Sequence, residues 1–192
     1  MAISKVVSAS ITTDAVGPTQ LNEASNYAFT GTVTGTPGIT QADLWVTTSG
    51  ISSDSTATVI ASNLARASDA IFGYVGSGMS QSSGIFTFPQ TGIYEVTFNA
   101  SYYKDGDTRY ITSRIEATAN NSTYEELARV HNNINQSYST THGSVISHAY
   151  VDVTDTSNVK VRFLHQSEAS ATLNSQTDFN VTYMKFIRLG AT

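Results

Sequence analysis

Four histidines, two close aspartate pairs and one glycine cluster are the places where this chain could do chemistry. His131, His142, His148 and His165 are possible metal ligands or general bases. None has the i,i+4 histidine partner or the cysteine and carboxylate neighbours of a zinc site. They read as histidines of loops and strand ends. Asp105-Gly106-Asp107 offers two carboxylates to calcium, but no twelve-residue ligand loop surrounds them. Asp-Gly is foremost a hairpin turn. Asp152 and Asp155 could form a glycosidase or metal pair; local capping of a turn accounts for them, since aspartate accepts nearby backbone N–H groups. Gly73, Gly76 and Gly78 lack the strand-then-helix setting of a phosphate loop, and no Gly-x-Ser-x-Gly elbow is present. The expectation is a protein with no enzymatic activity, no cofactor and no metal.

Recognition is better provided for. The stretch His131-Asn132-Asn133-Ile134-Asn135-Gln136-Ser137-Tyr138-Ser139-Thr140-Thr141-His142-Gly143 reads as a polar loop between strands. Its amides both donate and accept, and Tyr138 adds a flat apolar face with a hydroxyl. Such a mixture suits a sugar surface or a protein epitope. Asn132, Asn133, Asn135, Gln136 and Tyr138 are its candidate contact residues, with Asp105, Asp107 and Arg109 of the hairpin Lys104–Arg109 beside them. A second kind of recognition is written near the amino terminus. Tyr27, Phe29 and Val33 alternate with small polar residues, a period-two pattern able to add a strand to a neighbour's sheet edge.

Composition limits what must position these residues. Only 13% of the 192 residues are charged, about half the usual share, and Ser plus Thr reach about a quarter. The net charge of −5 leaves no basic footprint for nucleic acid. No apolar run is long enough to cross a membrane. Without cysteine there are no disulfides and no thiolate sites. The first residues lack the charged start and long apolar stretch of a signal peptide, so the amino terminus reads as a mature end.

Two zones follow. Residues 1–40 are apolar-poor and read as an anchoring arm; residues 41–192 read as an all-β domain. Strand patterns fall at Leu44–Thr48, Val59–Arg66, Ile85–Phe88, Gly92–Tyr103, Tyr110–Ala117, Val145–Val153, Asn158–His165 and Phe179–Leu189. Ser122–Val130 fits a short helix with a capping box and a strand equally well. This spacing of strands suggests an antiparallel sandwich or jelly roll.

The run Gly84-Ile85-Phe86-Thr87-Phe88-Pro89-Gln90-Thr91-Gly92-Ile93-Tyr94-Glu95-Val96-Thr97-Phe98 resembles the central strand pair of the tumour-necrosis-factor and complement-head-like jelly rolls. Pro89 and Gly92 supply the turn, and Tyr94, Val96 and Phe98 share one face. Tyr183-Met184-Lys185-Phe186-Ile187-Arg188-Leu189 is similar to that family's closing strand. The segments Ser10–Asn22 and Tyr27–Gly35 resemble pieces of bacteriophage virion proteins, particularly fibres of marine phages, as do Thr87–Gly92, Val151–Asp155 and Phe186–Gly190. Together the resemblances imply a jelly-roll head preceded by an extended arm and assembled as a homotrimer on the virion surface, after synthesis in the host cytoplasm. Its implied partners are itself, other capsid or tail proteins, and a host-surface glycan or protein. A short fibre or adsorption head is the leading reading. A capsid decoration or cement protein is the rival, and a carbohydrate-processing enzyme or cytokine-like ligand stands for a different class.

Overall fold

The computed structural model describes residues 38–68 and 70–192. Tyr27, Phe29 and Val33 of the expected arm lie outside them. In chain order the strands are β1 (Ala42–Thr47), β2 (Ile51–Ser53), β3 (Thr58–Val59), β4 (Leu64–Arg66), β5 (Ser80–Ser82), β6 (Ile85–Thr87), β7 (Gly92–Lys104), β8 (Thr108–Thr118), β9 (Glu125–Ile134), β10 (Thr141–Val153), β11 (Lys160–Ser167), β12 (Ala171–Leu173) and β13 (Tyr183–Gly190). No helix occurs among the described residues.

All pairings are antiparallel, and the strands form two sheets. In the first sheet β10 covers one edge of β7 along its whole length. The other edge of β7 is shared by β13 and β12; β13 continues to β1 and β4, and β12 to β2. The second sheet runs β5-β6-β11-β8-β9, with β3 also on β11. The chain crosses between sheets repeatedly, as a jelly roll requires.

Alternation in the sequence explains the packing. Tyr94, Val96, Phe98, Ala100 and Tyr102 of β7 are all buried, as are Ile111 and Ile115 of β8 and Val161 and Phe163 of β11. Phe86 sits at the centre of an aromatic cluster, with ring centroids 5.2 Å from Phe186, 5.4 Å from Phe163 and 5.5 Å from Trp45. Each such pair adds about 0.5–1.5 kcal/mol beyond the area it buries. Gly92 opens β7 at φ +138°, where a Cβ would run into Arg188 and the Gly190 carbonyl. The turn assigned to Pro89 and Gly92 from the sequence therefore stands.

Three expectations change. Val59–Arg66 is two strands in different sheets, β3 and β4, because Asn63 turns the chain at φ +57°, a left-handed conformation that asparagine tolerates. At 122–130 the chain is strand from Glu125 onward. The helical alternative loses because the Asn120 side chain accepts the Ser122 and Thr123 amides, at 3.0 and 2.8 Å, and fixes a turn where a capping box would start. The expected loop 131–143 is mostly strand: His131–Ile134 closes β9, Thr141–Gly143 opens β10, and only residues 135–140 turn between them.

The register gives the sandwich two ends. Strand β7 has 13 residues and spans about 40 Å at the usual rise. Its last residue adjoins the Asp105–Asp107 hairpin. Its first residues lie beside Ile187 and Gly190 of β13, and Ala42 of β1 pairs with Ile187. The chain thus enters the sandwich at the end opposite the hairpin.

Candidate functional site

The residues singled out for recognition meet at the hairpin end. Asp105 and Asp107 lie in the β7–β8 turn, and Gly106 between them adopts φ +109°. The Gln136 backbone N–H donates to Asp107 Oδ1 at 2.6 Å, and its side-chain Nε2 donates to Asp105 Oδ1 at 2.8 Å. The β9–β10 turn is thereby tied to the β7–β8 turn. Thr141 Oγ1 closes it by accepting the Ser137 amide at 3.1 Å. Tyr138 stands at its apex, 80% exposed. The β11–β12 connection joins them: Glu168 accepts the Arg109 amide at 3.1 Å and Arg109 Nε at 3.0 Å. Lys104 Nζ donates to the Ser170 carbonyl at 2.7 Å.

Ile134 holds this assembly onto the core. It is buried and packs where Gly143 presents no side chain; a Cβ there would lie 2.9 Å from Ile134 Cγ1. Neighbouring Asn132 donates through Nδ2 to the Ser144 carbonyl at 3.1 Å, and Asn133 Nδ2 donates to Asn135 Oδ1 at 2.8 Å. Arg109, His131, Asn132, Asn133 and Asn135 line an open basin of about 510 Å³. The His131 ring is fixed from behind by Thr112 Oγ1, 2.9 Å from Nδ1, and meets Tyr110 edge to face at 5.9 Å. The Arg109 guanidinium holds the Glu168 carboxyl below the usual carboxylate range.

All eight candidate tip residues, Asn132, Asn133, Asn135, Gln136, Tyr138, Asp105, Asp107 and Arg109, therefore lie at one end. The sequence reading missed the supporting roles of His131, Thr112 and Glu168. His131 abuts the asparagine run and was open to inference; Glu168 lies 59 residues from Arg109 and was not.

A second surface runs along the side of the sandwich. Strand β9 ends its sheet path, and β10 pairs with β7 alone, so both sheets have an unpaired edge among the described residues. Leu127, Val130, Ile146 and Tyr150 on these two strands are 43, 40, 43 and 71% exposed. Leu127 and Tyr150 also line a groove of about 410 Å³. The two adjacent open edges thus carry exposed apolar side chains.

The opposite end is built differently. Asp43 Oδ1 accepts the Leu44 amide at 2.9 Å and Arg66 Nε at 3.0 Å. Asp43 Oδ2 accepts Trp45 Nε1 at 3.0 Å, Arg66 Nη2 at 3.0 Å and the Met79 amide at 2.7 Å. Arg66 lies between the Trp45 and Tyr74 rings, 5.0 and 4.7 Å from their centroids. Asp155, read as a turn residue, accepts the Ser157 amide at 2.7 Å and Asn158 Nδ2 at 2.6 Å, whereas Asp152, read likewise, lies in β10 opposite Ile93. His131, His142 and His148 are exposed and His165 is buried; His148 lies in the middle of β10 and His165 within β11, against the expectation of loops and strand ends. No cluster of three His, Cys, Asp or Glu side chains able to hold a metal occurs among the described residues.

No known sequence family matches the chain, and no curated protein does. Solved structures do. The Eiger TNF of S. frugiperda aligns at a TM-score of 0.60 with 13% identity, over 79% of this chain and 93% of that one. Murine APRIL aligns at 0.50 with 14% identity, over 78% and 98%. The PRD1 vertex protein P5 aligns at 0.46 with 14% identity, over 80% and 100%. The described domain is an antiparallel jelly-roll β-sandwich of the tumour-necrosis-factor type.

Proposed function

We propose that this chain is a structural protein of a bacteriophage virion, a self-associating appendage that is tethered at one end of its jelly roll and presents the other. The observation that carries the reading is the polarity of the sandwich. The chain enters beside Ile187, which pairs with Glu95, and the polar loops stand at the far end of β7, about 30 Å away at the strand rise. A tether and a contact surface at opposite ends suit a projecting head. In this reading the phage-like segments preceding residue 38 supply the tether, with Tyr27, Phe29 and Val33 as its particle-contacting residues.

Self-association fits the side surface. Leu127, Val130, Ile146 and Tyr150 would be covered by a neighbouring copy, and closed rings of copies are the common solution for a single repeated surface. A homotrimer is the state implied by the fold's resemblance. The decoration reading uses the same tether and differs in copy number.

Deleting residues 1–38 tests the tether. The truncated protein is expected to fold, to keep its solution mass as a multiple of the monomer, and to be absent from purified particles by mass spectrometry. Unchanged incorporation would overturn the tether, and a monomer at micromolar concentration would overturn the assembly. Counting copies per particle then separates a fibre, with a few dozen, from a decoration protein, with hundreds.

A further inference from the structure

We infer that the basin at the hairpin end binds an uncharged sugar through adjacent hydroxyl groups; this deepens the reading of that end as the outward one. The argument begins with charge. Among the described residues, the only cation lining the basin apart from a histidine is Arg109, and its guanidinium lies 2.8 Å from Glu168 through Nη2 and 3.0 Å through Nε. Asp105 and Asp107 stand on the neighbouring turn. An anionic sugar, a sulfate or a phosphate would meet a guanidinium already matched to a carboxylate, with two further carboxylates close by. A cationic ligand would find those aspartates partly engaged by Gln136. The lining is polar throughout, so an apolar peptide has nothing to bury against it.

The spare hydrogen-bonding capacity fits hydroxyls. Among the described residues, Asn133 commits Nδ2 and Asn135 commits Oδ1 to each other. Asn133 Oδ1 is then left as an acceptor and Asn135 Nδ2 as a donor, on two amides already joined by a hydrogen bond. A pair of neighbouring sugar hydroxyls, each both donor and acceptor, complements that arrangement; a carboxylate or phosphate, which only accepts, does not. His131 is pinned through Nδ1, leaving Nε2 as the remaining polar atom of its ring. Arg109 is held along the edge that bears Nε and Nη2, leaving Nη1 as a donor.

Each of these groups already has a partner within the protein that favours one orientation: Arg109 on Glu168, His131 on Thr112, Asn132 on Ser144, and the asparagines on one another. Favouring one orientation in advance lowers the ordering cost of binding. The volume of about 510 Å³ falls within the roughly 300–1,000 Å³ of small-ligand sites. The basin's open form suits the end or side of a glycan chain. Several copies on one appendage would raise weak single-site binding by avidity.

Saturation-transfer NMR on the full chain tests the assignment. The probes are methyl glycosides of glucose, galactose, mannose and N-acetylglucosamine, with N-acetylneuraminic acid and a sulfated disaccharide as the charged arm. At least one neutral glycoside is expected to receive saturation, and the Asn133→Ala, Asn135→Ala double variant to weaken it at least tenfold with unchanged thermal unfolding. If that variant loses its fold, Asn135→Asp replaces it, with the same loss expected. Binding of the charged probes alone, no binding by any neutral glycoside, or wild-type affinity in the folded variant would overturn the proposal. Particle incorporation is read separately. A variant that enters particles but binds no sugar leaves the virion reading standing, and sugar binding by a protein absent from particles removes only the latter.

Discussion

Asp43 at one end of the sandwich and the asparagines at the other are polar residues put to opposite uses. The Asp43 carboxylate is buried and takes five donors, from two backbone amides, the Trp45 indole and two nitrogens of Arg66. Its capacity is spent inside the fold, where it fastens β1 to β4 and to the chain at Met79. Asn133 and Asn135 are exposed and spend only one hydrogen bond of theirs on each other. The difference teaches that residue type does not mark a polar site as structural or functional; what remains after internal bonding does.

The contrast is broken most forcefully at Asp43. Asp43→Ala leaves Arg66 without its counter-ion and strips partners from the Trp45 indole and the Met79 amide. Removal of one partner from a largely buried pair costs about 3 kcal/mol, to be read as a lower urea midpoint at unchanged slope. The Asn133→Ala, Asn135→Ala double variant is expected to stay within about 0.5 kcal/mol of the parent, as exposed substitutions do. Equal losses at the two ends would erase the distinction.

A smaller effect comes from His165, which lies between the two ends in character: buried like Asp43, yet short of partners like the asparagines. Its Nδ1 has no hydrogen-bond partner among the described residues, nor has the Oγ of Ser113, its neighbour across the β8–β11 pairing. Burial pushes the imidazole pKa below its ordinary 6.5, and the negative charge of Asp54 offsets part of that. The neutral form is therefore favoured in the folded protein, and the unfolded chain binds the proton more readily. Stability is fully present above 6.5 and falls as pH drops from 6.5 toward the lowered folded value. Urea midpoints measured across this range should fall with acid in the parent and lose that component in His165→Asn. A parent curve flat from pH 7.5 to the onset of carboxylate protonation would show that His165 is charged, or freely hydrated, in the native state.

Much of the framework was legible because strand alternation is local. Tyr94, Val96 and Phe98 announced the buried face of β7, and Asp105-Gly106 announced its hairpin. The short strands β2, β5 and β12 were missed, since Ile51-Ser52-Ser53 and Ser80-Gln81-Ser82 carry too little apolar signal and pair only with other three-residue strands, β12 and β6. Strand β9 was ambiguous for a related reason: as an unpaired edge it has little burial to impose a period on its residues. At the tip, residue types were readable and their assembly was not. Gln136 reaches Asp105 across 31 positions and Arg109 reaches Glu168 across 59, distances over which one sequence holds no pairing information. Asp43 carried a signal that passed unnoticed, a lone carboxylate within Ala42-Asp43-Leu44-Trp45-Val46. Such a residue on a strand must find donors or remain exposed.

The smallest predicted effect sharpens the comparison most, because it asks whether the tip belongs to the cooperative framework at all. Gln136→Ala removes the Nε2 bond to Asp105 and keeps the backbone bond to Asp107. Both lost partners are exposed, so water replaces the bond and global stability should stay within about 0.5 kcal/mol. Local order should respond more. With one of the two ties gone, the turn at residues 135–140 opens more readily, and amide exchange at Gln136 and Ser137 is expected to speed up while that of β7 and β8 is unchanged. That outcome makes the tip a separately adjustable layer on a rigid sandwich, free to vary its ligand without cost to the fold. A global loss as large as that of Asp43→Ala, with exchange accelerated throughout, would instead make the loop ties part of the fold's support, and the spare capacity of the asparagines would then be incidental to a structural role.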